Sequence, residues 1–159
     1  QALCCALIHQ PKVLFLDEPT TGVDAVSRDE FRAMLAQLKE AGITILVSTP
    51  YMDEAERCER VALLQTGKIL ALDRPQTIVG NFAEPLWAIR ADNYYQLLLD
   101  LRKAPFSRRV EVFGEFLHLT AKPATSKEEI TAYAEQCGHG NILLKPAEAT
   151  IEDVFLALM

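Results

Sequence analysis

Two short apolar runs separated by one helix-length interval constrain this chain most. Val13-Leu14-Phe15-Leu16 is continuous and ends on the carboxylates Asp17-Glu18, and Ile43-Thr44-Ile45-Leu46-Val47-Ser48 has the same β-branched, apolar character. Unbroken apolar runs of this length are the pattern of strands buried on both faces of a parallel sheet, where alternation is lost. Between them Phe31, Met34, Leu35 and Leu38 recur at helical spacing, with Gly42 to close the helix. Strand, helix and strand in this order predict a right-handed crossover unit. Ser27-x-x-Glu30 offers a capping box for the helix, and Asp24 is the competing cap.

Upstream, Ala2–His9 reads as a helix tail stopped ahead of Pro11, with Cys4 and Cys5 as small core residues. After the second run, Thr49 can cap a helix beginning at Pro50, with Asp53, Glu54 and Glu56 near its positive end, running to Cys58 or Glu59. Val61–Leu64 and Lys68–Leu72 flank Gln65-Thr66-Gly67 as a hairpin, Pro75 opens a short helix to Gly80, and 81–85 reads as a linker. The pattern then restarts: strand Leu86–Ala91, helix Asn93–Lys103, strands Arg109–Phe113 and Phe116–Ala121, helix Lys127–Cys137, strand Ile142–Lys145. This βαββαβ order predicts a small α+β, ferredoxin-like domain, followed by a helix over Ile151–Leu158 capped by Thr150 with Asp153 three residues on.

Charge and composition remove several classes of function. The formal net charge of -6 leaves no basic stripe for a phosphate backbone, so nucleic acid is not expected as a partner. No apolar run approaches the roughly 18–20 residues that cross a bilayer, and the start at Gln1 shows no export signal, so the chain reads as a piece of something longer. Four cysteines without a CxxC pair suit neither a disulfide framework nor a zinc site, and point to a reducing cytosol. Gly138-His139-Gly140 reads as a turn, and Arg108, Arg109, Lys122 and Lys127 as solvated charge.

The most informative stretch is Leu14-Phe15-Leu16-Asp17-Glu18-Pro19-Thr20-Thr21-Gly22-Val23-Asp24. A carboxylate closing a parallel strand lies at the edge where open α/β sheets place their ligands, and it is a suitable ligand for Mg²⁺. The plain structural reading is a solvated strand end, a proline turn and a helix cap at Asp24. The stretch resembles the Walker B motif and following D-loop of ATP-binding cassette (ABC) ATPases. The resemblance implies that Asp17 holds Mg²⁺ directly or through water, that Glu18 orients and polarises the water attacking the γ-phosphate of ATP, and that Asp24 lies at the contact between two nucleotide-binding domains. Gly22 supplies backbone freedom in that loop.

Ser48-Thr49 leading into Tyr51-Met52-Asp53-Glu54-Ala55-Glu56 resembles the family's switch region, where Pro50 stands in place of the usual histidine. Proline can neither donate a hydrogen bond nor carry a proton. The site then hydrolyses slowly with Glu18 alone, is the weaker of two unlike sites, or uses a substitute group. No G-x-x-x-x-G-K-[ST] and no Leu-Ser-Gly-Gly occurs in the chain, so the piece alone is not expected to bind ATP well. The resemblance implies that 1–84 is the C-terminal part of a P-loop nucleotide-binding domain, a parallel sheet with flanking helices. It implies that 85–159 is the accessory α+β domain of ABC-2 type exporters, because Ala149-Thr150-Ile151-Glu152-Asp153-Val154-Phe155-Leu156 is similar to their closing helix. The implied partners are a second nucleotide-binding domain and membrane permease subunits, which would hold the protein at the inner face of the membrane. The alternatives are a degenerate, non-hydrolysing cassette half and a stand-alone ligand-binding module built on the βαββαβ half.

Overall fold

The computed structural model describes residues 7–159, so most of the expected helix over Ala2–His9, with Cys4 and Cys5, lies outside the described residues. The chain forms two compact units, Gln1–Cys58 and Glu59–Met159.

The first unit contains β1 (Val13–Asp17), α1 (Ala25–Glu40), β2 (Thr44–Ser48) and a single turn, α2 (Met52–Ala55). The strands pair in parallel, in register from Val13 opposite Thr44 to Asp17 opposite Ser48, which is the crossover that the two apolar runs predict. Three expectations are corrected. The cap of α1 is Asp24, whose Oδ1 accepts from the Val26 and Ser27 amides at 3.1 and 3.0 Å. Ser27 is inside the helix and donates its hydroxyl to Asp24 Oδ2 at 2.7 Å, so the two carboxylate oxygens of Asp24 divide the amide and hydroxyl donors between them. The strands are not covered on both faces: Leu14 is 5% exposed but Phe15 is 73% and Leu46 60%. Among the described residues, nothing covers the face that carries Phe15 and its neighbour Leu46. Finally, α2 is shorter than expected and starts later, with Tyr51 as its cap residue, because the Thr49 hydroxyl accepts from the Tyr51 amide at 3.1 Å and makes a turn of the residues between. Pro50 therefore precedes the helix.

The second unit opens with the hairpin of β3 (Val61–Gln65) and β4 (Lys68–Asp73), then α3 (Pro75–Gly80). Thr66 and Gly67 both take positive φ, 47° and 76°, the twist of a two-residue hairpin loop. There follow β5 (Leu86–Arg90), α4 (Tyr94–Lys103), β6 (Ser107–Phe113), β7 (Phe116–Ala121), α5 (Lys127–Gln136), β8 (Leu143–Pro146) and α6 (Ile151–Leu158). The four strands lie in the order β6-β7-β5-β8, every neighbour antiparallel. Ile89, Leu97, Leu101, Leu117, Leu119 and Ile130 form the fully buried centre of a core shared by the sheet with α4 and α5. Asn93 and Ser126 cap α4 and α5, and Thr150 with Asp153 forms the capping box of α6. The buried Asp153 also bonds His118 of β7, Oδ1 to Nδ1, at 2.8 Å, and Phe113 stacks on the His118 ring at 4.0 Å.

The chain is thus mixed α/β, a parallel strand–helix–strand piece in one unit and an antiparallel sheet with helices in the other. No helix of the described residues is long and apolar enough to cross a membrane.

Candidate functional site

The parallel register brings Asp17 and Ser48 opposite each other at the C-terminal ends of β1 and β2, and the Ser48 hydroxyl donates to Asp17 Oδ1. The backbone turns immediately afterwards. Glu18 has φ +43°, in the left-handed region, and its amide donates to both the carbonyl and the hydroxyl of Ser48 at 3.0 and 3.1 Å. A side chain in that conformation costs roughly 1–2 kcal/mol, which the bonds to Ser48 offset. The turn breaks the strand's alternation directly after Asp17. Glu18 Oε2 accepts from the Thr21 hydroxyl at 3.2 Å, and the loop winds on through amide bonds from Thr21 to Glu18 and from Val23 to Thr20, both 3.1 Å. Gly22 lies in it at φ +76°, where a side chain would be strained.

A second set of side chains joins this loop to the one after β2. Thr20 is 2% exposed, and its hydroxyl donates to Glu54 Oε2 at 3.1 Å. The Thr49 hydroxyl donates to the same oxygen at 2.7 Å. Arg32 of α1 reaches Glu54 Oε1 at 3.4 Å, Asp53 Oδ2 at 2.8 Å and Asp29 Oδ1 at 3.0 Å. Burial opposes the Arg32 charge, but Asp53 and Glu54 outweigh it and hold the guanidinium above its ordinary pKa. Arg28, one helical turn earlier, donates to the Val23 carbonyl at 2.9 Å and lies 4.2 Å over the Tyr51 ring.

Of the residues singled out in the sequence, Asp17 and Glu18 lie together at the strand end with Ser48. Gly22 and Asp24 occupy the loop into α1, and Asp24 is engaged as the helix cap, its carboxyl held below the usual range by the Ser27 hydroxyl and then by the Ser27 amide. Pro50 lies between Thr49 and the cap of α2. Ser48, Thr20, Thr49 and Glu54 lie within the stretches that carry the resemblance but have no role assigned there, and Arg32 lies outside them. A signal exists in hindsight: a hydroxyl residue lies in the exit of each parallel strand, and a carboxylate one turn into the next helix can collect both.

Elsewhere, His139 bonds Asp100 of α4, Nε2 to Oδ2, at 3.1 Å, so the glycine-flanked turn is tied to a helix. Arg108 pairs with Glu84, and Lys122 donates to the Pro105 carbonyl at 2.6 Å. Among the described residues no group of three or more His, Cys, Asp and Glu side chains forms a metal centre.

No family model matches the chain. Over 82 residues, 52% of this chain, it is 47% identical to the Probable multidrug ABC transporter ATP-binding protein YbhF of Escherichia coli, covering 14% of that protein. It is 36% identical over 159 residues, 98% of this chain and 49% of the relative, to the Nod factor export ATP-binding protein I of Rhizobium leguminosarum bv. viciae. The protein of that name from Burkholderia thailandensis is 35% identical over 158 residues, 98% of this chain and 50% of the relative. The chain spans about half the length of these Nod factor export proteins. On this relationship, which runs through both units, the chain belongs with the ATP-binding proteins of ABC transporters.

Proposed function

We propose that the chain is part of the ATP-hydrolysing subunit of an ABC exporter, with residues 17–54 supplying the hydrolytic edge of its nucleotide site. The observation that carries this reading is the Asp17–Ser48 pair at the C-terminal edge of a parallel strand pair, with Glu18 turned out of the strand beside it. The donor chemistry fits Mg²⁺, a hard cation that prefers oxygen and binds through one or two carboxylates, with waters and substrate phosphates completing its shell. Asp17 would hold the ion, directly or through water. When bound, MgATP supplies the phosphoryl group and the charge clamp on it. Glu18 would orient the attacking water and accept its proton. Pro50 has no donor for the γ-phosphate, so hydrolysis depends on Glu18.

The phosphate loop and the signature are absent from this sequence, and we expect the chain alone to be inactive. Gly22 and Asp24 would face a second nucleotide-binding domain, and permease subunits would hold the protein against the inner membrane face. ATP-driven closing and opening of the two nucleotide-binding domains would move the permeases. The proposed organisation is a cassette part over 1–84 and an accessory domain over 85–159. It is supported by the βαββαβ order that begins at Leu86, although β3, β4 and α3 cluster with the residues that follow them. The strand order β6-β7-β5-β8 with antiparallel neighbours supports a ferredoxin-like arrangement for the accessory part.

Pro50 favours a second reading, a degenerate half that holds nucleotide without hydrolysis. Purified full-length protein separates the two. On the first reading Glu18→Gln lowers the ATPase rate by about 10²–10⁴-fold, the scale of a lost general base, and Pro50→His raises it. No hydrolysis by the parent, with neither substitution changing this, would establish the inert reading.

A further inference from the structure

We propose that Glu54 is a positioning residue of this site: its carboxylate fixes the loop carrying Glu18 against the loop carrying Pro50. The inference rests on the hydrolytic reading above for its effect on rate, and on geometry alone for the tie itself. The parallel ladder sets where β1 and β2 end, Asp17 opposite Ser48, but a ladder does not fix the loops beyond it. The chain leaves β1 through a left-handed Glu18 and Pro19, and leaves β2 through Thr49-Pro50, so neither exit continues a regular element.

Glu54 closes that gap with one oxygen. Oε2 accepts the Thr20 hydroxyl at 3.1 Å from the first loop and the Thr49 hydroxyl at 2.7 Å from the second, while Oε1 takes Arg32 at 3.4 Å from α1. The side chain is 10% exposed, which makes these charge-assisted bonds stronger than their surface equivalents and makes the loss of any one costly. A carboxylate is required. A glutamine in its place offers one acceptor oxygen, turns an NH₂ towards a donor, and no longer balances Arg32. Thr20 is three residues from Asp17 and two from Glu18, so movement of Thr20 reaches the proposed water-orienting carboxylate through the Thr21–Glu18 bonds.

The test uses full-length protein and two readouts. Glu54→Gln should lower kcat by about 10–100-fold, the scale of a misplaced reacting group, with KM for MgATP changed less than about twofold. Thr49→Val, which keeps the shape and removes one hydroxyl, should act in the same direction, and Thr49→Ser should restore the parent rate. Hydrogen exchange read by mass spectrometry on peptides covering 17–23 should be faster in Glu54→Gln and Thr49→Val and unchanged in Thr49→Ser. A merely structural role would lower the melting temperature while leaving kcat of the folded enzyme and that exchange as in the parent, and this result overturns the proposal. If the parent does not hydrolyse ATP, the hydrolytic reading fails by itself, and the exchange measurement alone decides whether Glu54 ties the loops. Should Glu54→Gln not fold, the Thr49 pair gives the same decision.

Discussion

Replacing Asp153 by alanine tests how the last helix is held. The carboxylate has two separate duties: Oδ2 accepts the Thr150 amide and hydroxyl at 2.9 and 2.8 Å, and Oδ1 bonds buried His118 at 2.8 Å. Losing the Asp153 half of the capping box leaves the Thr150 amide without its acceptor at a cost of about 1 kcal/mol, and leaving a buried ring nitrogen without its partner costs a further 1–3 kcal/mol, so Asp153→Ala should destabilise by about 2–4 kcal/mol. Thr150→Ala removes only the cap and should cost about 1 kcal/mol. Trp87 in β5 is the only tryptophan of the chain, so its fluorescence in urea reports the second unit without interference from the first. The expected result is a lower midpoint at unchanged slope. Adding His118→Phe to Asp153→Ala should recover part of the loss, because removing both partners of a buried bond costs less than orphaning one. The reasoning is refuted if Asp153→Ala and Thr150→Ala agree within about 0.5 kcal/mol, a spread typical of unrelated surface changes.

Leu117→Ala, at a fully buried position on the central sheet, should cost about 2–5 kcal/mol in the same urea assay, whereas Leu158→Ala at a position 45% exposed should stay within about 0.5 kcal/mol. Ser27→Ala should raise the midpoint of Asp24 in an NMR titration, since the Ser27 hydroxyl is the first cause of its lowered value. The stability that Asp24 adds is present above the carboxylate's unfolded-chain pKa and is lost as pH falls through the lower folded one, so Asp24→Asn, which keeps a cap, should flatten the acid limb of that unit's melting profile. Phe15→Ser with Leu46→Ser should reduce self-association of the 159-residue chain in sedimentation velocity. These two side chains are 73% and 60% exposed, and equal association by parent and variant would show that this face is not responsible.

Local chemistry made much of the architecture legible in the sequence. Apolar runs of fixed length, the Phe31–Leu38 stripe, the Thr66-Gly67 turn and the Thr150/Asp153 box each fix an element within a few residues, because helices, hairpins and caps are decided by neighbours in the chain. The acidic pair at the strand end was legible as a residue pattern, whereas the expectation for Pro50 came from a resemblance alone. Tertiary structure decided what depends on residues far apart. The continuous apolar composition of β1 could not say that Phe15 would be left open, since covering a face needs a second layer and not a strand. Glu54, read from the sequence as a charge near a helix start, becomes the meeting point of Thr20, Thr49 and Arg32 only when the parallel register places the exits of two strands side by side. Sequence sets which groups are available; the crossover sets which of them can share one oxygen.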